Sequence, residues 1–452
     1  MKFLVVLVLI LVNMSSKLDV LETRLKNGVK VLIVKKDSPI SAVAIIVGSG
    51  AFSDPFKKSG LAHYTEHAMF KGLKDAEHGA EFSKFTKMTG ANFNAFTGYN
   101  TTAFHTAVPS EYLDDLLKIE SQRFNHFFIE RESALTERNV VLEELKMYNN
   151  YDSYLLFQDI MSGLYAKNNY RNSIAGYADE VNSFTVADVV KFRKRNYVAN
   201  NMKIIVVSNV DKDVILKKLN HYFGKIRKNK YLKKLPDTTV DVDYPRSSYI
   251  VERYSSQTGL NEVSMFWKMP SYNTNKKEMI AMSIAASIMG DKACTFAKTL
   301  IKDKQVATNI QTLHNTTYAT NEGCPPNLFV VEATSTSKCN ADDLVKNIKT
   351  ELQNLINKGF SKDELQAVKD EFKIRNYYRE DNSMNVFNFL INIGINYSYQ
   401  DFLEYSKILE EIDVAYLNAT FRKYMSETPN AIGKMMPLSA QHEVKSEKNN
   451  VK

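Results

Sequence analysis

The spacing of apolar residues changes period along the chain, and the changes mark out its elements. Residues 18–24 and 29–34 read as two strands joined at Asn27-Gly28, a pair suited to a tight hairpin turn. Residues 41–50 form an apolar, β-branched strand ending in Gly-Ser-Gly. The period then lengthens to that of a helix over 59–71, with Ser59 in place to cap it, and again over 82–90. Two short strands, 92–97 and 102–107, flank a Gly98-Tyr99-Asn100 turn. Helical periodicity returns over 113–127, 131–148, 153–164 and 186–197, the last with Thr185 placed as its cap. A strand at 202–208 and a helix at 212–222 close this half.

Residues 228–248 are rich in Lys, Asp, Thr and Pro and lack long apolar periodicity, so they read as a linker. Beyond it the element order repeats: strand 262–269, helix 277–288, strands 308–317 and 327–334, and helices 341–358, 362–378, 386–395 and 414–424. The repeat lies in order and length, with little residue identity. It predicts a duplicated α/β domain of about 210 residues per copy. The expected segments are a leader at 1–16, an N-terminal domain at 17–228, the linker at 229–248, a C-terminal domain at 249–440 and a disordered tail at 441–452.

Composition narrows the class. A length of 452 residues exceeds one ordinary core, and 44% hydrophobic with 24% charged residues is a globular balance rather than a disordered one. The net charge of +8 is spread along the chain, which argues against nucleic acid as a partner. Cys294, Cys324 and Cys339 have neither the count of a disulfide framework nor the spacing of a cysteine zinc site. A Lys2 start, an apolar run at 3–12 and small residues after it form a signal-peptide pattern. The expectation is therefore a periplasmic or secreted protein without a stable membrane span, the alternative being anchorage by an uncleaved leader.

The chemistry concentrates in His63-Tyr64-Thr65-Glu66-His67. Residues i and i+4 of a helix share a face one turn apart, so both imidazoles can reach one ion. Zinc takes nitrogen and oxygen ligands in a tetrahedron, and a catalytic site keeps one position for water. Glu66 lies on the same face and is placed to act as general base. The bland alternative is a helix turn with two chance histidines, but Ala62, Ala68 and Met69 set the turn against a core. A third ligand is expected from Glu137, Glu143 or Glu144 in the 131–148 helix. Glu137 and Glu144 share one side, with Glu143 turned away by about 100°. Spacing alone does not choose between Glu143 and Glu144.

The stretches Leu25-Lys26-Asn27-Gly28, Gly60-Leu61-Ala62-His63-Tyr64-Thr65-Glu66-His67, Asn94-Ala95-Phe96-Thr97 and Glu137-Arg138-Asn139-Val140 through Glu144 resemble the pitrilysin/insulinase family of inverted-motif metallopeptidases, in its branch of mitochondrial-processing-peptidase-like bacterial proteins. The resemblance covers nearly the whole chain. It implies an α+β fold in which two homologous α/β domains, each an antiparallel-rich sheet packed with helices, enclose a clamshell chamber. It also implies Zn²⁺ held by His63, His67 and Glu144, with Glu66 as base and Glu137 as a supporting catalytic glutamate, partner to a histidine or the water. Asn94, Ala95 and Phe96 correspond to an edge strand that pairs with the substrate backbone, a recognition mode independent of side chains. Of Phe93 and Phe96, at least one is expected in the core, since neighbouring strand positions face opposite ways. An Arg and a Tyr that hold the substrate carbonyl in many relatives fall here on Ile301 and Thr308. The activity implied is zinc-dependent endoproteolysis of peptides or unfolded segments. The alternatives are a non-catalytic, substrate-binding subunit working with a paralogue and, in a third class, a metal-binding protein without need of Glu66. Expected partners are the peptide substrate and a second subunit, either identical or paralogous.

Overall fold

A computed structural model describes residues 18–71, 80–232, 248–315, 327–395 and 397–440. The leader, most of the linker, Cys324 and the tail lie outside them. The first half runs β1 (Asp19–Arg24), β2 (Lys30–Lys35), β3 (Ile40–Val47), α1 (Leu61–Lys71), α2 (Ala80–Thr89), β4 (Asn92–Thr97), β5 (Thr102–Pro109), α3 (Leu113–Asn125), α4 (Arg131–Asn149), α5 (Asp152–Leu164), α6 (Ala178–Asn182), α7 (Val186–Asn196), β6 (Met202–Ser208) and α8 (Lys212–Phe223). The second runs β7 (Tyr249–Ser255), β8 (Glu262–Lys268), α9 (Lys276–Gly290), α10 (Thr295–Lys298), β9 (Ala307–Asn315), β10 (Leu328–Ser335), α11 (Ala341–Lys358), α12 (Lys362–Asp381), α13 (Ser383–Ile393), α14 (Tyr399–Glu411), α15 (Val414–Met425) and β11 (Ala431–Pro437).

Each half builds one mixed sheet. The first has six strands in the order β1-β2-β6-β3-β5-β4, and the second has five in the order β7-β11-β8-β10-β9. β2 and β6 pair in parallel, as do β7 and β11, and the other neighbours are antiparallel. The second sheet thus repeats the first without its outermost strand. β4 and β9 occupy equivalent edges.

Burial follows the two-residue period of a strand. Val43, Ile45 and Val47 of β3 face a core made with helices of their own half. Ala42, Ala44 and Ile46 face a core shared with the second half. That second face is covered by α13, which packs on β3 and β6. The exchange is mutual: α5 of the first half packs on β7 and β11. Gly433 permits this approach, because a Cβ there would stand 2.5 Å from Ile160 Cδ1 of α5. Each half therefore lends one helix to the other's sheet.

Most of the expected elements form, with ends shifted by a few residues. α6, β7, α10, α14 and β11 go beyond the elements that periodicity predicts. The stretch Lys276–Asp303 is long and apolar enough to cross a membrane by length and composition alone, and 56% of its most apolar window is buried in the fold. Its α9 portion is lined with core residues such as Met279, Ile284 and Met289. Cys294 and Cys339 are free thiols.

Candidate metal centre

The histidine helix starts differently from the expectation. Ser59 does not cap it. Gly60 has φ +89° and α1 begins at Leu61. Its first donors are met by Asp54, whose carboxylate accepts from Gly60 N at 2.7 Å and Ala62 N at 2.8 Å, while Ser59 N donates to Glu180. A carboxylate at a helix N-terminus satisfies amides that the helix leaves unpaired and suits its dipole. Gly60 and Gly176 lie back to back, and a Cβ on Gly176 would stand 2.2 Å from Ser59 O. Tyr64 points into the core, and its hydroxyl donates to Ala134 O at the start of α4. The two helices that carry the candidate ligands are thereby tied together.

On a neighbouring face of α1, His63 and His67 approach edge to face, with ring centroids 4.8 Å apart. Glu144 of α4 meets them. Its Oε2 lies 3.6 Å from His63 Nε2 and 3.4 Å from His67 Nε2. Glu143 turns to solvent, its side chain 71% exposed and paired with Lys146. Among the described residues, His63, His67 and Glu144 form the one group able to hold a metal ion, with ligand atoms all within 4.8 Å of one another.

These residues fit zinc. Ligand atoms about 2.0–2.1 Å from one ion in a tetrahedron stand about 3.3–3.4 Å apart, close to the 3.4 and 3.6 Å between Glu144 Oε2 and the two imidazole nitrogens. Glu144 Oε2 is buried and accepts no hydrogen bond among the described residues, although buried acceptors are almost always paired. Two imidazoles and a carboxylate are also the donor set of a catalytic zinc site.

Neighbouring groups orient this set. Glu137 Oε2 lies 3.5 Å from His67 Nδ1, and its Oε1 lies 3.3 Å from Lys71 Nζ. Glu66, only 7% exposed, accepts a hydrogen bond from Thr97 Oγ1 at Oε2, 2.6 Å away. Tyr148 Oη donates to Glu144 Oε1 at 3.1 Å. The electrostatics of the two rings diverge. Burial, helped by the charge on His67, pushes His63 down to about 4. Burial also opposes charge on His67, but Glu137, Glu144 and Glu66 overcome it and raise that ring to about 9.

The set opens into a cleft of about 620 Å³. One wall is β4 at the sheet edge, where Asn94, Ala95 and Phe96 line the cleft, and the other is α5, with Tyr154, Phe157 and Gln158. Phe93 joins Phe70 and Phe82 in an aromatic group, whereas Phe96 packs towards the core shared with the second half. Ile301 packs on that same core, and the Thr308 hydroxyl donates to Thr334 O and Ser335 O. Neither lines the cleft.

Sequence reasoning missed Thr97 and Tyr148 as site residues. Tyr148 stands four residues after Glu144, a spacing that brings side chains together on a helix, but its pattern reads as part of the apolar face. Thr97 carries no such local signal, because strand pairing alone brings it to Glu66.

Residues 30–177 match the family described as Insulinase (Peptidase family M16), and residues 183–372 match the one described as Peptidase M16 inactive domain. Zinc protease PqqE of Helicobacter pylori (strain ATCC 700392 / 26695) is 22% identical over 407 residues, which cover 89% of this chain and 90% of that protein. Protease 3 of Escherichia coli (strain K12) is 27% identical over 236 residues, or 51% of this chain and 24% of that longer protein. The crystal structure of a protease from Helicobacter pylori shares the fold, with TM-score 0.79 and 20% identity over 93% of this chain and 100% of that one. Pitrilysin does so with TM-score 0.70 and 20% identity over 94% of this chain and 45% of its own. The inactive-domain match falls largely on the half without the histidine pair. With both halves matched in order and the two-sheet fold shared from end to end, the chain belongs to the pitrilysin/insulinase family, peptidase family M16.

Proposed function

We propose that the protein is a zinc metalloendopeptidase acting on peptides or unfolded segments. The observation that carries the reading is the convergence of His63, His67 and the unsatisfied Glu144 Oε2, with Glu66 beside them in a cleft. Zinc held there would polarise the scissile carbonyl and lower the pKa of a water molecule. Glu66 takes the proton of the attacking water and passes it to the leaving amine. Thr97 keeps the carboxylate of Glu66 in one orientation. Glu137 holds His67 through Nδ1 and so fixes which ring nitrogen faces Glu144. The β4 edge pairs with an extended substrate backbone, which selects unfolded chain over folded protein. Export to the periplasm or outside the cell completes the reading and rests on the pattern of residues 1–16.

A second reading is favoured by Ile301 and Thr308, the positions on which the family resemblance would put the substrate-carbonyl clamp, which do not line the cleft. In it, another copy or a paralogue supplies those donors. The test is metal analysis with cleavage of a mixed peptide library, wild type against Glu66→Gln, each with and without added paralogue. We expect one zinc in both proteins and cleavage lowered about a thousandfold or more in the variant, the scale of losing a catalytic group. Retained cleavage in Glu66→Gln would refute the base assignment. Cleavage by wild type only with the paralogue would favour the second reading.

A further inference from the structure

We propose that Tyr148 is a positioning residue for Glu144, selecting which carboxylate oxygen faces the two imidazoles. The inference deepens the metal-centre reading above and rests on it. A glutamate's terminal torsion is broad and roughly two-fold, so nothing intrinsic distinguishes Oε1 from Oε2. Here they are distinguished. Oε1 accepts the Tyr148 hydroxyl at 3.1 Å, whereas Oε2 faces the imidazoles, 3.4–3.6 Å from His67 Nε2 and His63 Nε2, with no closer hydrogen-bond donor among the described residues. One oxygen is occupied by the protein and the other is held ready for an ion.

Tyr148 is itself held. It stacks on Tyr154 with ring centroids 5.5 Å apart and planes inclined by 29°. The Tyr154 hydroxyl lies 2.7 Å from Ser173 Oγ, and Ser173 is buried. Ser173 opens the segment that ends at Gly176, whose backbone lies against Gly60 at the start of the histidine helix. A continuous line of contacts therefore runs from the base of α1, through Ser173, Tyr154 and Tyr148, to Glu144. The placement of the carboxylate is coupled to the helix that carries both imidazoles. Such outer contacts preorganise a metal site because they fix ligand rotamers before the ion arrives.

The test is zinc affinity, measured by competition with a chelator on metal-free wild type, Tyr148→Phe, Tyr154→Phe and Glu144→Gln. Tyr148→Phe keeps the ring stack and removes the hydroxyl. Its affinity should fall about 10–100-fold, the usual scale for losing a partner of a metal ligand, with one zinc still bound at saturation. Substituting Co²⁺ should show altered visible absorption in Tyr148→Phe, a change that a purely structural role would not produce. Tyr154→Phe should shift affinity in the same direction by less, and it tests the coupling even if the first variant folds poorly. Affinity within twofold of wild type and an unchanged Co²⁺ spectrum in Tyr148→Phe would overturn the proposal alone. If Glu144→Gln also binds as tightly as wild type, or wild type takes up no stoichiometric zinc, the metal-centre reading falls and this inference falls with it.

Discussion

The join between the halves contains a buried charge whose cost can be read by titration. Lys203, on β6, is 1% exposed. Its ammonium donates to Gly394 O at 3.2 Å and Tyr397 O at 2.9 Å, and Lys30 donates to Ile395 O at 2.6 Å. Two lysines of the first half thus bind carbonyls just past α13, where a helix leaves acceptors unpaired and its dipole favours cations. Burial still lowers the Lys203 pKa from 10.5 to about 8. At about 1.4 kcal/mol per pH unit, keeping it charged in the fold costs about 3 kcal/mol at neutral pH. The folded state releases this proton near pH 8, and the unfolded chain holds it to about 10.5. Between those values the unfolded state binds more protons, so this residue's contribution to stability rises with pH. Lys203→Met keeps the aliphatic stem and removes the titration. At pH 7 the lost hydrogen bonds, about 1.5–3 kcal/mol, nearly offset the relieved charge, and the two proteins should be about equally stable. By about pH 10.5 wild type should exceed the variant by about 3 kcal/mol. Urea unfolding of both proteins at each pH measures the difference, in which the ionisation of tyrosines common to both cancels. A difference that stays flat within about 0.5 kcal/mol across this range would refute the argument.

Two further outcomes follow from the contacts around α1. Thr97→Val removes the donor to Glu66 and keeps the shape, so kcat should fall about 10–100-fold with KM and zinc content little changed, and Thr97→Ser should restore most of it; equal activity in Thr97→Val and wild type would contradict the role given to Thr97. Gly176→Ala places a Cβ 2.2 Å from Ser59 O at φ +86°, whereas a Cβ added at Gly90, where φ is +66°, would meet no atom within 4 Å. Thermal unfolding should show Gly176→Ala destabilised by about 2–4 kcal/mol and Gly90→Ala by about 1 kcal/mol, and equal losses would mean that φ alone sets the cost.

Local chemistry was legible in the sequence and long-range chemistry was not. The histidine turn, the edge strand 92–97 and the Thr185 cap depend on spacing within a few residues, and each forms where its pattern stands. Ser59 does not cap the helix because Asp54, in the loop before it, takes the amides of Gly60 and Ala62, and Glu180 of α6 takes the amide of Ser59 itself. β11 escaped notice because Gly433 interrupts its apolar run, and the reason for that glycine is Ile160 in the other half. Spacing left Glu143 and Glu144 open, and the geometry separates them by facing one to solvent and the other to the imidazoles.

The same distinction explains how a half without the histidine pair bears on the cleft. α5 supplies Tyr154, Phe157 and Gln158 to one wall of the cleft. Its other face is packed against β7 and β11 of the second sheet, with Ile160 seated at Gly433. The wall opposite β4 is therefore positioned by the second half, and so is Tyr154, which backs the Tyr148 contact to Glu144. Close-packed interiors transmit displacement rather than absorb it. The second sheet accordingly supports one wall of the candidate centre's cleft through α5, without contributing any of the three ligands.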